Sequence, residues 1–550
     1  MDKAVKIDLT SDIAGKLTKE RRDRRTRLDE SGFPVDEQPL PVALKTPEER
    51  VTISYTEARP DQTAQQAAKL LVQAGCPVYM RANSLMWLRD VPARDGDSQP
   101  INVKRFTDEG MKENLRFELS ALANWRRLSD GKNSLTPVPR DLCQMLMEVS
   151  WRLGVVPEVD GLFLAPTLRR DGSLLAAEGY DPATRLLLVD LPKMAPLAAA
   201  PTREDAEQAL ALLTGLLAET EFVGAADRAV ALSLIISTVV RGALPHVPLH
   251  IIKAPGIGSG KSFVVDVANM IATGQRCPAV AARAETDKWE RQIAMALHMG
   301  DPIVSLDNFN GTLRSDLLAQ ALTQSRVKAL LPYGRNMVEI ECKSVLTANG
   351  NNISIADDLG RRVVLCQIDA RVAEPWKRKF RGDPLGEVAK HRGRYVAAAL
   401  TMVRAYLAAG EPLRDKLEPL NGFGDWGRFV REPLAWLGEV DPAVTQAAAR
   451  RDDPNLQKKV AVLNGLEACY GTGEAGAVTL NEMLLTPSKG KQEEWDRLQA
   501  ALKEAVASKA LDAHSLSLYL TKHVGAPDGG LRLCKEANRK GINKWWVERA

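Results

Sequence analysis

The chain has 550 residues, of which 45% are hydrophobic and 26% charged, and this composition is ordinary for a globular protein. Its length allows about three or four domains, because single hydrophobic cores stop growing well below this size. The formal net charge of only +4 excludes a polycation, so any affinity for nucleic acid must come from local basic patches.

Membrane proteins and secreted disulfide-linked proteins are two further classes that the sequence does not favour. The longest apolar run, residues 229–240, is too short to span a bilayer and lies between two arginines. Residues 1–6 have no apolar core of the kind that a secretion signal carries. The seven cysteines are scattered without a C-x-x-C pair, which predicts reduced structural thiols rather than a zinc site. We therefore expect a cytoplasmic protein with no membrane partner.

Residues 1–63 are predicted to form a poorly folded arm. Residues 16–27 carry seven basic side chains, and residues 32–47 are rich in proline with no clear apolar period. A solvated tail is the simpler interpretation of the basic run, and an arm that contacts DNA is the alternative.

Residues 64–195 are predicted to form a mixed α/β module. A helix is expected over residues 65–75, followed by a hairpin around Ala82 and Asn83. Short apolar segments continue to residue 189, and we find no catalytic constellation among them.

A linker is predicted at residues 192–201, which are dominated by proline and alanine. Thr202 then begins a helix as its N-cap, and a second helix is expected over residues 227–241. Beyond residue 455 the chain becomes richer in lysine and glutamate, so we predict domains at 202–455 and 456–550.

Residues 255–262 read Pro-Gly-Ile-Gly-Ser-Gly-Lys-Ser and follow an apolar strand, which is the setting of a phosphate-binding P-loop. Lys261 would supply a cation for the β- and γ-phosphates and Ser262 a hydroxyl for Mg²⁺. Pro255 replaces the usual first glycine, but the backbone donors come mostly from later in the loop. A chance glycine-rich loop is the alternative. The predicted nucleotide-binding residues are Gly256, Ile257, Gly258, Ser259, Gly260, Lys261, Ser262 and Phe263.

A short apolar strand, residues 302–306, ends in Asp307, which has the form of a Walker B element holding Mg²⁺ together with Ser262. Many ATPases have a glutamate next, whereas this chain has Asn308. Asn308 could orient the attacking water, or Glu285 or Glu290 could act as the base. A turn aspartate without a catalytic role is the alternative for Asp307.

Two further segments are candidates for a nucleotide-hydrolysing site. Residues 343–352 end in a cluster of amides, of which Asn349 or a following asparagine could contact the γ-phosphate, although a simple turn is equally consistent. Arg361 and Arg362 precede another apolar strand, and a guanidinium suits a transferring phosphoryl group across a subunit boundary. A surface salt bridge is the alternative for either arginine.

The last domain, 456–550, is predicted to be a winged helix. Residues 514–523 have the length of a recognition helix, and two strands follow at 531–534 and 544–547. The basic residues on the helix and in the loop between the strands would contact duplex phosphates. A protein–protein module is the alternative. The predicted DNA-binding residues are Lys522, Lys535, Arg539 and Lys540.

The order of P-loop, acid-ending strand, Asn-ending strand and arginine pair resembles the AAA+ core of superfamily 3 DNA helicases. More narrowly, it resembles the replicative helicase or primase-helicase proteins of phages, prophages and integrative elements. The likeness runs from about residue 75 to the end, and Pro255 and Asn308 depart from it. It includes the segments 171–173, 178–181, 306–308, 347–352, 426–431 and 436–442.

The resemblance implies an α/β multidomain protein with an AAA+ ATPase core, ATP and Mg²⁺ as cofactors, and a hexameric ring that translocates on single-stranded or forked DNA. Its implied catalytic residues are Lys261, Asp307, Asn308, Asn349, Arg361 and Arg362. The DNA-contacting loops would be those that hold Lys328, Arg335 or Lys343, and other replication proteins are further candidate partners. Two alternatives keep the ATPase, namely a loader or remodeller of proteins on DNA and an ATP-gated initiator that binds an origin.

Overall fold

The computed structural model describes residues 49–93, 101–108, 111–129, 131–281, 285–332, 336–485, 487, 490–506, 511–537 and 542–550. The basic run 16–27 of the predicted arm lies outside these residues. The described residues form two compact units, one with those up to residue 76 and in 112–156, the other with those in 77–111 and 157–550. The predicted module 64–195 therefore contributes to both units, and the predicted domain boundaries stay predictions.

The helices are α1 Pro60–Gln73, α2 Met111–Leu122, α3 Leu142–Leu153, α4 Arg203–Leu216, α5 Ala225–Val240, α6 Lys261–Thr273, α7 Thr286–Met299, α8 Asp316–Ala321, α9 Pro384–Ala408, α10 Gly424–Trp426, α11 Glu432–Trp436, α12 Gln446–Arg451, α13 Pro454–Tyr470, α14 Leu480–Leu485, α15 Gln492–Val506 and α16 Ala513–His523. Over the described ranges, no helix combines the length and the apolar character needed to cross a bilayer.

The strands are β1 Val51–Tyr55, β2 Val78–Arg81, β3 Ser84–Ala93, β4 Ile101–Thr107, β5 Ala123–Ser129, β6 Lys132–Leu135, β7 Gly161–Phe163, β8 Thr167–Leu168, β9 Leu174–Leu175, β10 Gly179–Asp181, β11 Leu186–Leu188, β12 Leu249–Lys253, β13 Ala279–Ala281, β14 Ile303–Leu313, β15 Arg326–Leu330, β16 Met337–Glu341, β17 Val345–Ile355, β18 Val363–Gln367, β19 Pro527–Asp528, β20 Leu531–Ala537 and β21 Asn543–Arg549.

The smaller unit is a three-stranded sheet, ordered β1-β5-β6, with helices α1 to α3. Strands β1 and β5 run parallel from the pair Val51–Ala123, and β5 pairs antiparallel with β6. Trp125 is fully buried, and its indole N–H donates to the carbonyl of Leu119 at 2.9 Å. Helix α1 begins earlier than predicted because Pro60 occupies its first turn, where a missing N–H costs nothing.

The larger unit begins with the hairpin that the sequence predicts. Strands β2 and β3 pair antiparallel from Val78–Trp87 to the turn, and β4 extends the sheet. Ala82 and Asn83 both have positive φ, 46° and 59°. A two-residue turn with positive φ at both positions has a backbone twist that matches the right-handed twist of the flanking strands, and it is a common hairpin turn.

A five-stranded parallel sheet, ordered β13-β14-β17-β12-β18, forms the centre of the larger unit. Its registers include Ile251 opposite both Ala348 and Leu365, Leu306 opposite Ala348, and Val280 opposite Leu306. These residues, apart from the half-buried Val280, are buried, as expected for strands covered on both faces. The expected α/β class with a parallel sheet is therefore confirmed.

The segment 192–201, predicted as a linker, is packed into the larger unit. The guanidinium of Arg404 on α9 donates to the Ala199 carbonyl at 2.9 Å. A Cβ on Gly393 would lie 2.0 Å from the Lys193 carbonyl oxygen, so only glycine permits this close approach. The Thr202 N-cap is confirmed by a reciprocal capping box with Asp205.

Arginines with mainly backbone acceptors secure two helix ends in this unit. Arg392 of α9 donates to the carbonyls of Ile271 at 3.0 Å and Ala272 at 2.7 Å in the last turn of α6, and also to Leu164. Its pKa is lowered to about 10 by burial. Arg81 likewise donates to His298 near the end of α7, at 2.8 Å. A cation at a helix C-terminus also offsets the partial negative charge there.

Residues 454–550 contain helices α13 to α16 and an antiparallel sheet ordered β19-β20-β21. Their apolar side chains, including Leu463, Leu498, Leu516 and Trp545, form a hydrophobic cluster of their own. The predicted helix and its two following strands correspond to α16, β20 and β21.

Candidate active site

The P-loop connects strand β12 of the parallel sheet to helix α6. Gly258 and Gly260 adopt left-handed conformations, with φ of 73° and 95°, which side chains disfavour. The Ser259 side chain is buried and donates to the Gly256 carbonyl at 3.0 Å. Ile257, by contrast, is 75% exposed. The glycines therefore produce the tight turn at the positive end of α6 that a phosphate site requires.

Lys261, the first residue of α6, lies with its ammonium group at the mouth of this loop. The ammonium donates to the Gly256 carbonyl at 2.9 Å, to Ser259 Oγ at 3.2 Å and to Asn351 Oδ1 at 2.8 Å. Burial lowers the pKa of Lys261, and the nearby Asp307 carboxylate opposes that shift. These neutral acceptors can be exchanged for phosphate oxygens, which are stronger partners for a cation.

Ser262 and Asp307 come together although 45 residues separate them, and the Ser262 hydroxyl donates to Asp307 Oδ1 at 3.3 Å. Ser262 is exposed and Asp307 half-buried, so both oxygens are open to a ligand. A hydroxyl and a carboxylate are the hard oxygen donors that Mg²⁺ prefers, and these residues fit that ion. Phe263, the last of the predicted nucleotide-binding residues, is half-buried against the hydrophobic core.

The asparagines of β17 have two different partners. Asn349 is buried, and its Oδ1 accepts from the Asn308 backbone N–H at 3.1 Å. Asn308 has a positive φ of 55° at an irregularity in the pairing of β14, so Asn349 secures the backbone directly after Asp307. Asn351 instead contacts Lys261. The sequence left this choice among the amides open, because it required the register of β17 against the P-loop.

The two glutamates considered as bases have partners on nearby elements. Ser315 Oγ donates to Glu290 Oε1, which ties this carboxylate to the N-cap of α8. Glu285 is exposed, and its carboxylate lies 3.5 Å from the ammonium of Lys288.

Arg361 and Arg362 have distinct surroundings. The Arg362 guanidinium donates to the Ala319 carbonyl and to Thr323 Oγ1 at 3.3 Å, within its own chain. Arg361 is exposed at the end of a short 3₁₀-helix, and its carbonyl accepts from Gln446 at 2.8 Å. Arg361 is thus the more exposed of the two arginines, and Arg362 is half-buried.

The predicted DNA-binding residues are only partly described. Lys522 is exposed on α16, while Lys535 is half-buried with its ammonium 4.8 Å from the ring centre of Trp545. Arg539 and Lys540 lie outside the described residues.

The three basic residues proposed for the DNA-contacting loops are Lys328, Arg335 and Lys343. Lys328 is exposed on β15, and Arg335 lies outside the described residues. Burial lowers the pKa of Lys343, and its backbone carbonyl accepts from Arg241. Lys343 is half-buried, and a DNA-contacting role for it stays a prediction.

Comparisons with known proteins give distant likenesses. No family model and no curated protein matches the chain. The chain is similar to residues 305–718 of NrS-1, its C-terminal region, at 11% identity and a TM-score of 0.36, covering 88% of this chain and 99% of that one. SCCmec type IV Cch, called an active helicase, gives 11% identity and a TM-score of 0.31, covering 86% and 97%. The JCV helicase gives 14% and 0.20, covering 46% and 74%. At these TM-scores the likenesses carry no argument.

Proposed function

We propose that the chain is an ATP-dependent DNA helicase that works as a hexameric ring in the replication of a phage or other mobile genetic element. The observation that supports this most directly is the meeting of Lys261 and Ser262 with Asp307 and Asn351. These side chains come from the P-loop and two other strands of one parallel sheet. Ligands of open α/β sheets bind at this carboxyl edge, where the strand order reverses.

In this proposal the P-loop backbone N–H groups and Lys261 hold the β- and γ-phosphates of ATP. Ser262 and Asp307 would hold Mg²⁺, which when bound supplies charge neutralisation at the bridging phosphate oxygens. Lys261 leaves Asn351 for a phosphate oxygen, so the Asn351 amide becomes available to the γ-phosphate or to the attacking water. Asn351 thereby acts as the γ-phosphate sensor, and Asn349 positions Asp307 and Asn308.

Ring action requires a residue that reaches the ATP of a neighbouring subunit. Arg361 is our candidate, because it is exposed whereas Arg362 is tethered to Ala319 and Thr323. A guanidinium supplied from outside the pocket stabilises the charge of the transferring phosphoryl group. Hydrolysis would then depend on the subunit interface, which couples it to movement.

DNA would be contacted at two places. Lys328 lies on the β15–β16 hairpin, which is a candidate for the translocating loop. Residues 456–550 would form a winged helix that contacts duplex phosphates through Lys522, Lys535, Arg539 and Lys540.

A second candidate function is an ATP-gated initiator or a loader that binds DNA without unwinding it. It is favoured by Asn308, which stands where a glutamate commonly polarises water and is fixed by Asn349. A site that binds ATP well and hydrolyses it slowly would suit such a switch.

DNA-stimulated ATP hydrolysis, measured together with the mass of the assembly with and without nucleotide, tests the proposal. We expect stimulation by forked DNA, a nucleotide-dependent ring, and strand displacement. ATP turnover without strand displacement would favour a loader, and turnover that DNA does not change would favour the initiator.

A further inference from the structure

The segment that follows β18 lies directly on the P-loop. A Cβ placed on Gly258 would lie 2.9 Å from Trp376 Cβ and 3.2 Å from the Trp376 backbone nitrogen. One placed on Gly256 would lie 3.7 Å from Pro375 Cγ. The Trp376 side chain is nevertheless 58% exposed. The Cβ end of this side chain lies at the P-loop, while most of the indole is exposed to solvent. Such exposure is unusual for a large apolar side chain.

This segment is held by hydrogen bonds to Glu219. The Glu219 carboxylate accepts from the backbone N–H groups of Arg381 at 3.0 Å and Gly382 at 3.2 Å. The Arg378 guanidinium donates to the Glu219 carbonyl at 3.0 Å. These bonds restrain the segment that carries Trp376, which lowers the cost of ordering it when a ligand binds.

The sheet order defines which end of a nucleotide would face Trp376. Asn351 and Asp307, which contact Lys261 and Ser262, belong to β17 and β14 on one side of β12. Lys261 holds the β- and γ-phosphates and Ser262 the metal, so the γ-phosphate faces that side. The segment of Trp376 follows β18, on the other side of β12. The α-phosphate, ribose and base must extend in this direction.

We propose that Trp376 stacks on the base of the nucleotide bound at the P-loop. This rests on the proposed function insofar as the P-loop must bind a nucleoside triphosphate. Stacking on an aromatic face recognises the π-system of the base rather than its hydrogen-bonding groups, so the contact adds affinity for a nucleoside over bare phosphate.

Titration calorimetry of the full chain with ATP and with inorganic tripolyphosphate tests the inference. In Trp376→Ala we expect ATP to bind on the order of tenfold more weakly, the size of one base–aromatic contact, with tripolyphosphate unchanged. Trp376→Phe should keep most of the ATP affinity. Phe380→Ala is the matched control, because Phe380 is 57% exposed on the same segment, and it should change neither ligand.

Three other results of the calorimetry would each overturn either the inference or the proposed function. Unchanged ATP binding in Trp376→Ala would overturn the inference, and so would an equal loss of ATP and tripolyphosphate, which would make Trp376 a support of the loop. Retained tripolyphosphate binding also shows that the variant is folded. A wild-type chain that binds neither ligand would overturn the proposed function itself, a result distinct from both.

Discussion

A cation lies at each end of helix α6, Lys261 of the helix itself and Arg392 of α9, and the two differ in their acceptors. At the N-terminus, Lys261 donates to a carbonyl, a hydroxyl and an amide oxygen at the mouth of a loop. At the C-terminus, Arg392 donates to the carbonyls of Ile271, Ala272 and Leu164 and is largely enclosed. The first set of acceptors can be exchanged for a ligand, whereas the second is part of the fold. The kind of acceptor, and not the charge, distinguishes a binding residue from a structural one.

Lys261→Ala should give the largest functional effect of this comparison. We expect ATP turnover to fall by about a thousandfold, because a preorganised charge at the phosphates is lost. The unfolding temperature should stay near that of the wild type, since Lys261 is only half-buried and so are two of its acceptors, Gly256 and Asn351. ATPase assays and thermal unfolding measure both quantities, and wild-type-like turnover would contradict the ATPase assignment.

Arg392→Met should lower stability while leaving turnover nearly unchanged, the reverse of Lys261→Ala. The apolar stem remains, but the carbonyls at the end of α6 lose their donors, and we expect a loss of about 3 kcal/mol of unfolding free energy. Turnover per folded molecule should be retained. Denaturant unfolding checks this, with Arg394→Met, at an exposed position of the same helix, as the control. Equal stability of the two variants would show that Arg392 does not secure the helix end.

Asp307→Asn tests the proposed metal site beside the N-terminal end of helix α6. We expect nucleotide binding to persist while Mg²⁺-dependent hydrolysis falls by about a hundredfold, because one carboxylate of the metal site is lost. Binding and turnover measured across a Mg²⁺ titration would check it. Undiminished hydrolysis would mean that the acidic element lies elsewhere.

Mixing two inactive variants extends the comparison to a neighbouring subunit. Arg361→Ala keeps its own pocket, and Lys261→Ala keeps its arginine, so an equal mixture should recover about a quarter of the wild-type turnover. Arg362→Ala, at the tethered position, is the control that should give no such rescue. Mixed assemblies without any recovery would contradict the assignment of Arg361.

The sequence predicted those parts of the site that are local. The P-loop is one continuous segment and Asp307 follows a short apolar run, so residue types and spacing sufficed to select them, although β14 continues through Asp307 to Leu313. The contact between Asn351 and Lys261 depends on the register of β17, which no single segment specifies. Trp376 also escaped notice, because an isolated tryptophan in a loop resembles any exposed aromatic until its distance to Gly258 is known.

In the fold, too, local features were predicted and contacts between distant segments were not. Composition and apolar strands predicted an α/β protein, and the hairpin at Ala82 and Asn83 follows from its turn. The segment 192–201 is rich in proline and alanine, and composition alone suggested a linker. Its packing depends on Gly393, about 200 residues later, and such distant pairs are beyond a local pattern.

The order of the central sheet has a consequence for synthesis. Strand β12 pairs with β17 and β18 and not with β13, the next strand along the chain. At ribosomal rates, the roughly 100 residues between β12 and these partners take about 5–20 s to emerge. During that time β12 lacks both of the strands to which it is hydrogen-bonded in the finished sheet. The candidate nucleotide site needs Asn351 of β17 beside the P-loop, so it cannot be complete until this late strand has emerged.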